Sequence, residues 1–406
     1  MDPLQYLFSL ERFGIKFGLD NITAIVERLG RPDRAFGSIH IAGTNGKGSV
    51  TAMVDAALRA GGHRSARYTS PHLVDLSERF VVDGRPVSRD ALMAAIADVR
   101  EAVESLRADG TLDVQPTFFE VTTAVAFEIF RRAKVEIAVL EVGLGGRLDA
   151  TNVVSPVATA ITSIAFDHQL YLGSTLAEIA FEKAGIIKPG IPVAVGALPG
   201  EAMRVVERVA LERGAEIVRT APADVATVTV GLRGDHQRGN AAVAAGALGI
   251  VNRRGMGVTA DAIARGFANP SWPGRLDERQ VGGGRALLLD AAHNPAGAVA
   301  LASYLSTDSM KRPLVFAAMR DKDVDGMFGA LMPAIGSLVL TRASNPRSAD
   351  PESLAARARA VAAEVPIVVQ PSVADALAAA WRTSPRIVVA GSIFLLGDVM
   401  QQLGLH

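Results

Sequence analysis

Short apolar runs of strand length, separated by helix-period segments, recur along nearly the whole chain. That alternation leaves few folds open, and it points to parallel sheets covered by helices on both faces. Residues 38–42, 137–141 and 157–161 read as buried strands. Residues 49–60 and 118–132 read as helices, the first closed by Gly61 and Gly62 as C-cap residues. At 406 residues the chain exceeds what one core usually organises. The pattern breaks at Asn269-Pro270-Ser271-Trp272-Pro273-Gly274, after a helix ending near Phe267. Beyond the break, strand-like runs at 286–289, 314–317, 338–340, 367–369 and 387–390 restart the rhythm as a smaller α/β sheet. The expected domains are therefore 1–269 and 270–406. A content of 39 glycines with only 5% aromatic residues suits close packing of helices on sheets.

Charge and cysteine usage exclude several classes of function. Lys plus Arg and Asp plus Glu each number 42, so no broad field draws the protein to nucleic acid or to an anionic membrane, and any phosphate site must be local. The absence of cysteine rules out disulfides, zinc thiolate sites and thiol catalysis, and suits a cytoplasmic protein. The N-terminus carries Asp2 and Glu11 and lacks a basic start before an apolar stretch, so no secretion signal is expected. Nor does any apolar run approach the roughly 20 residues that span a bilayer.

The sharpest local signal is Gly43-Thr44-Asn45-Gly46-Lys47-Gly48-Ser49, set between an apolar strand and an amphipathic helix expected from about Ser49. Glycines let backbone N–H groups close on phosphates, the helix N-terminus adds a favourable dipole, and Lys47 contributes charge, while a hydroxyl can reach Mg2+. The spacing departs from the common phosphate-loop pattern, whose first glycine would fall at Ile41; here Gly48 also separates Lys47 from Ser49. A bare Gly-Lys pair would more often be a turn with a surface lysine. Strand, glycine spacing and helix together favour nucleotide binding.

Other polar clusters stand where parallel strands should end, the edge on which α/β folds bind ligands. Glu141 closes one strand and leads into Val142-Gly143-Leu144-Gly145-Gly146-Arg147-Leu148-Asp149. Asp167-His168 follows the apolar-rich segment 157–166. Glu141, His168 and the hydroxyl of Ser70 could converge on a divalent ion, for which oxygen-rich ligation beside phosphate favours Mg2+ over zinc. Lys183 alone reads as a helix-surface ion pair. Asp290-Ala291-Ala292-His293-Asn294-Pro295 follows a strand and opens a helix, and Arg275 in the interdomain segment could reach phosphate or merely cap the turn.

Taken together, these motifs resemble the dihydrofolate synthase/folylpolyglutamate synthase family, a branch of the Mur ligase superfamily. The resemblance covers most of the chain in order: GTNGKGS at 43–49, TSPHL at 69–73, TFFE at 117–120, EVGLGGRLDATN at 141–152, DH at 167–168, EKAGI at 182–186, HQRGNA at 236–241, PGR at 273–275, DAAHNP at 290–295, DKD at 321–323 and AGS at 390–392. Two departures are visible: Ala291 replaces a frequent glycine, and the stretch 221–234 is short.

The resemblance implies an N-terminal phosphate-loop ATPase domain and a smaller C-terminal Rossmann-like domain for glutamate ligation. It assigns Asn45, Gly46, Lys47, Gly48 and Ser49 to the triphosphate, with Asn240, Arg275 and Asp290 completing the ATP site. Ser70, Glu141 and His168 would bind Mg2+, with Ser49 as a further contact; a monovalent cation is a possible addition. Lys183 matches a lysine that such enzymes carry as a carbamate. A pterin site would be formed by Ser9, Leu10, Glu11 and Arg12, by Thr117, Phe118, Phe119 and Glu120, and by Leu148, Asp149 and Ala150. For the pterin, Phe119 could offer an aromatic face and Asp149 a carboxylate for ring N–H donors. His293 and Ser392 would face the reaction centre from the C-terminal domain.

The implied activity is amide formation between a dihydropteroate or reduced folate carboxylate and L-glutamate, by way of an acyl phosphate made from ATP. The expected protein is a cytoplasmic monomer without nucleic-acid or membrane partners. The alternatives are a folylpolyglutamate synthase alone, a UDP-muramoyl-peptide ligase, or a nucleotide-binding module that ligates nothing.

Overall fold

The computed structural model describes residues 2–14 and 16–405. Two compact units divide the chain. The first runs through Ile164 and continues with Ser174–Gly231 and Gly239–Pro270; the second comprises Ala165–Gly173, Leu232–Arg238 and the chain from Ser271 onward.

The first unit is built on eight strands: β1 Gly37–Ala42, β2 Ser65–Tyr68, β3 Phe80–Val82, β4 Arg85–Pro86, β5 Ile137–Glu141, β6 Ala158–Ile161, β7 Val193–Val195 and β8 Ile217–Arg219. Their order across the sheet is β4-β3-β2-β5-β1-β6-β7-β8. From β2 to β8 the pairing is parallel, while β3 and β4 add an antiparallel edge. The expected strand at 157–161 forms one residue shorter, and it ends well before Asp167.

Central position explains the composition of β1. It lies between β5 and β6, so Ser38, Ile39, His40, Ile41 and Ala42 are all buried, and burial does not alternate along a strand covered on both faces even though Ser38 and His40 are polar. The register pairs Ile41 with Glu141 and Ala42 with Ile161. The segments that follow β1, β5 and β6 therefore leave the sheet on one edge.

Local signals set the flanking helices. Lys47–Ala60 ends on Gly61, with Gly62 at φ 86°; the Gly62 N–H donates to Arg59 O and His63 N–H to Leu58 O. That is the Schellman arrangement, in which a left-handed glycine satisfies the last carbonyls. Phe118–Arg132 begins in a capping box: Thr117 Oγ1 accepts from the Glu120 N–H, and the Glu120 carboxylate accepts from the Thr117 N–H at 2.7 Å. Helix Ala260–Ala268 packs on Lys47–Ala60 through Gly266, where a Cβ would overlap the Ala57 backbone.

The second unit has six strands: β9 Asp277–Val281, β10 Arg285–Leu289, β11 Pro313–Phe316, β12 Ser337–Leu340, β13 Ile367–Val369 and β14 Arg386–Ala390. They lie in the order β13-β12-β11-β14-β10-β9, parallel except for β9. The expected five strands are present, within a residue or two. β9 was not expected, because Asp277-Glu278-Arg279-Gln280-Val281 is a half-exposed, charged edge without an apolar run. Its hairpin to β10 turns through Gly282, Gly283 and Gly284, the last two at φ 75° and 70°.

Candidate functional site

The phosphate loop is shaped by what surrounds its backbone. Gly43 has φ 150°, and a Cβ there would overlap Thr162 Oγ1; Gly46 has φ 86°, and a Cβ there would overlap Asn240 Oδ1. Side chains are thus excluded at both positions on steric and conformational grounds. Two hydroxyls at the exit of β6 hold the loop: Thr162 Oγ1 donates to Asn45 O at 2.6 Å, and the Asn45 N–H donates to Ser163 Oγ at 3.0 Å. The Thr44 N–H donates to Ser163 O at 2.8 Å. The helix starts at Lys47, two residues earlier than expected, so its first turn spans Lys47, Gly48 and Ser49 and directs N–H groups out of the helix start. Lys47 Nζ folds back on Gly43 O and Thr44 O, each at 3.1 Å.

Asn240 lies in the helix His236–Arg253 and meets the loop at Gly46. Nothing in the sequence marked Thr162 and Ser163, because they act through two hydroxyls just past the end of a neighbouring strand rather than through a motif.

Glu141 and Ser70 are brought together at the ends of β5 and β2, with the Ser70 N–H 3.4 Å from Glu141 Oε2. The donors here are oxygens, which suits a hard divalent cation. Ser49, also expected at the metal, is buried in the first turn of its helix. His168 belongs to the second unit, and among the described residues no three His, Cys, Asp or Glu side chains are grouped as a metal site.

The segment after Glu141 is clamped to the helix Leu176–Ala184 that carries Lys183. The Arg147 N–H donates to Glu182 O at 2.7 Å, and Arg147 Nη2 pairs with Glu182 Oε1 at 2.8 Å. Asn152 Nδ2 bridges Arg147 O and Gly185 O. A Cβ on Gly146 would sit 2.9 Å from Glu182 O and 3.0 Å from Lys183 O. Glu182 thus makes an ion pair with Arg147 at the helix surface. Lys183 is only 5% exposed, which corrects its reading as a surface residue.

Several residues expected around a pterin do internal work. Leu10 and Ala150 belong to the hydrophobic core. Thr117 and Glu120 are buried in their capping box, and Asn21 Nδ2 also reaches Glu120 Oε2 at 3.4 Å. Asp149 is buried and caps a turn: Oδ1 accepts from Thr151 N–H at 3.0 Å and Thr151 Oγ1 at 2.5 Å, and Oδ2 from Leu144 N–H at 2.9 Å. Burial pushes its carboxyl up, against these bonds.

The same Thr151 hydroxyl lies 2.8 Å from His40 Nε2 on β1. Burial, with help from the Lys188 charge, pushes that imidazole down to about 3. It is therefore neutral, and Nε2–H donates to Thr151, whose own proton goes to Asp149.

Phe119 packs under Gly143, with a ring atom 2.6 Å from where a Cβ would stand, and lies 6.0 Å from Tyr68. Phe118 stacks with Phe8 at 6.0 Å between centroids, and the Arg79 guanidinium sits 5.1 Å from the Phe118 ring. Arg79 Nε also donates to His72 Nδ1 at 2.9 Å, and burial with the Arg79 charge pushes His72 down to about 4. Phe8 and Arg79 were not anticipated; an exposed phenylalanine in an otherwise amphipathic N-terminal helix was the available signal. Ser9 donates to Tyr6 O, Glu11 and Arg12 are exposed, and Leu148 is half-buried.

In the second unit, Asp167 gathers the two expected histidines. Asp167 Oδ1 lies 2.5 Å from Lys322 Nζ and accepts from the His168 N–H at 2.9 Å. Its Oδ2 lies 3.3 Å from His293 Nε2 and accepts from Asn294 Nδ2 at 3.0 Å. Lys322 Nζ is 3.5 Å from His168 Nε2. Burial opposes the charge on Asp167, but the His293 hydrogen bond and charge, with Lys322 and His168, hold its carboxyl well below the usual range. Lys322 stands in the DKD motif at 321–323, which carried no role in the sequence reading.

Asp290 in this unit accepts from the Leu276 and Ala292 N–H groups, and burial raises its carboxyl in spite of the Arg275 charge. Arg275 Nη1 donates to Gly274 O at 3.0 Å. Ser392 is buried, and its Oγ caps the helix Ile393–Leu403 by accepting from the Phe394 N–H.

A phosphate loop on the ligand edge of a parallel sheet, followed by a separate α/β unit, defines the class of a Mur-type ligase. Residues 274–393 match the family model described as Mur ligase, glutamate ligase domain. A Mycobacterium tuberculosis relative named dihydrofolate synthase/folylpolyglutamate synthase is 38% identical over 83% of this chain and 76% of its own length. The chain belongs to the dihydrofolate synthase/folylpolyglutamate synthase family.

The crystal structure of M. tuberculosis folylpolyglutamate synthase complexed with ADP and AMPPCP has a TM-score of 0.90 and 33% identity, covering 100% of this chain and 99% of that one. A Yersinia pestis bifunctional folylpolyglutamate synthase/dihydrofolate synthase complexed with AMPPNP and Mn ion has a TM-score of 0.84 and 29% identity, covering 99% and 97%. A Haloferax volcanii relative, a probable bifunctional folylpolyglutamate synthase/dihydropteroate synthase, is 38% identical over 87% of this chain. The chain spans 44% of that relative's length. No helix among the described residues is long and apolar enough to cross a membrane.

Proposed function

We propose that this protein is an ATP-dependent ligase that joins a dihydropteroate or reduced folate carboxylate to the amine of L-glutamate. The acceptor carboxylate attacks the γ-phosphorus of ATP, giving an acyl phosphate and ADP. The glutamate amine then attacks the acyl carbon, and the tetrahedral intermediate collapses to amide and phosphate. The observation that carries this reading is the loop 43–49, in which Gly43 and Gly46 admit no side chain and the helix start at Lys47 leaves N–H groups for phosphate, with the Lys47 ammonium held beside them on Gly43 O and Thr44 O.

Charge is the physical obstacle, since a carboxylate must approach a triphosphate. Lys47 offsets part of that repulsion, and Asn45, Gly46, Gly48, Ser49 and Asn240 orient the nucleotide. Arg275 and Asp290 are further candidates for nucleotide contacts. A divalent cation, Mg2+ by the chemistry of the oxygen donors Glu141 and Ser70, would neutralise phosphate charge when bound, with His168 as a third candidate ligand. Phe119 was the residue expected to offer an aromatic face; exposed Phe8, stacked on Phe118 beside Arg79, is a further candidate for the pterin.

Buried Lys183 is assigned the carbamate role. CO2 adds to its neutral amine, one proton leaves, and the lysine becomes an anion. Intact mass under mild conditions should show the adduct, and an active protein with unmodified Lys183 would rule it out.

The lack of cysteine suits the further reading of a cytoplasmic protein. ADP release decides among substrates. Glutamate-dependent release is expected with both dihydropteroate and tetrahydrofolate; release with tetrahydrofolate alone leaves a monofunctional folylpolyglutamate synthase, and release only with a UDP-muramoyl peptide overturns the folate assignment.

A further inference from the structure

The second unit concentrates polar side chains from distant parts of the sequence on one carboxylate. Lys322 and Asn294 are 155 and 127 residues from Asp167, yet both bond to it. The Asp167 and Lys322 side chains are only 6% and 8% exposed, so water cannot easily take the place of either partner. His293 is fixed from two sides: Nδ1 donates to Ala291 O at 2.8 Å, and Nε2 faces Asp167 Oδ2 at 3.3 Å. Asn294 is also the N-cap of Pro295–Leu305, where its Oδ1 accepts from the Gly297 N–H at 2.8 Å while its Nδ2 donates to Asp167. The amide orientation is thereby determined, because each end of the side chain has a partner of the right polarity.

Asp167 itself sits where the backbone reverses. His168 is left-handed at φ 50°, opens the short helix Gln169–Leu172, and returns its N–H to Asp167 Oδ1 at 2.9 Å. A carboxylate has two oxygens and about four acceptor directions, and here donors on both oxygens use them.

We infer that Asp167 is a positioning residue for the amide-forming half of the reaction, holding the His293 imidazole and the Lys322 ammonium in one fixed arrangement. This rests on the ligase reading above. The chemistry such an arrangement serves is recognition of the amino-acid co-substrate, which brings carboxylates that need fixed cationic and N–H donors. Asp167 contributes by placing those donors and does not touch the reacting atoms. Loss of the carboxylate frees a lysine with four rotatable bonds and a histidine ring, and misplacement of such groups by about 1 Å costs on the order of 100-fold in rate.

The test is a set of double-mutant cycles read by steady-state kinetics on the full chain. Asp167→Ala should lower kcat/KM for glutamate by about 100-fold, while KM for ATP and the half-saturating Mg2+ concentration stay within about threefold. Asp167→Ala combined with His293→Ala, or with Lys322→Ala, should lose little more than the larger single variant, because the residues act as one unit. Asp167→Asn, which keeps the size and one acceptor, should recover part of the loss. Additive effects in both cycles overturn the inference. So does a loss that appears in the Mg2+ dependence, which would mean that Asp167 acts through His168, or an equal rise in KM for ATP and glutamate. Circular dichroism and thermal melting identify a variant that has merely unfolded; in that case Asp167→Asn carries the decision through the same cycles. Wild-type protein without glutamate-dependent ADP release would defeat the ligase reading itself, whereas normal kinetics in Asp167→Ala would defeat only this inference.

Discussion

The phosphate loop and the segments expected to hold the pterin carried motifs of similar clarity, yet the fold uses them in opposite ways. In the loop, the residues named by the motif leave backbone N–H groups at a helix start with Lys47 folded against the loop, while residues outside that motif, Thr162, Ser163 and Asn240, brace it. In residues 117–120 and 148–150 the polar groups named by the motif are consumed inside the protein: Thr117 and Glu120 by a capping box, Asp149 by a turn tied to His40. A motif can therefore mark the scaffold of a site as readily as its contacts. Burial and the bonds already made decide which of the two it is.

Four variants break or sharpen this contrast, taken from the largest expected effect downward. Lys47→Ala should reduce ADP formation by about 1000-fold with thermal melting nearly unchanged, since removing one preorganised charge contact to the reacting phosphate costs about 100- to 1000-fold. Activity close to wild type would place the phosphate-binding charge elsewhere.

Gly46→Ala adds a Cβ against Asn240 Oδ1 at φ 86°, so both the loop and Asn240 must shift. A loss on the order of 100-fold in kcat/KM for ATP is expected. Near wild-type kcat/KM for ATP would show that the loop accommodates a side chain at Gly46 and that its contact with Asn240 does not set the nucleotide site.

His40 gives the scaffold side a pH signature. Its folded value is about 3, against an ordinary 6.5, so the unfolded chain binds more protons between those values. Its contribution is complete above pH 6.5 and is lost as the pH falls toward 3, with a slope of up to about 1.4 kcal/mol per pH unit. Urea unfolding of His40→Gln across that range should show a flatter acid limb. An identical pH dependence in the two proteins would remove His40 from the network that holds residues 149–151.

Thr117→Ala should cost about 1–2 kcal/mol of stability through the lost cap, and KM for a pterin substrate should move no more than the fold does. A selective rise in that KM at unchanged melting temperature would return Thr117 to the pocket as a contact.

Much of the architecture was legible because it depends on short-range rules. Strand runs, the Gly61-Gly62 stop and the helix from Phe118 are each encoded within a few residues, whereas the membership of residues 165–173 and 232–238 in the second unit is not. β9 escaped because an edge strand needs no apolar run; β6 ends at Ile161 as expected, and Asp167 stands in the connection beyond it and not at a strand end.

By itself, then, the sequence determined the two α/β sheets, the phosphate loop and the family, since alternation, glycine placement and motif order are properties of neighbours along the chain. Only the tertiary structure decided the rest: that Lys183 is buried and Glu182 pairs with Arg147, that Asp149 caps a turn, and that Asp167 collects Lys322, His293 and Asn294. The physical reason is distance in sequence. Burial and pairing of side chains a hundred residues apart depend on which strands become neighbours, and no local propensity carries that information.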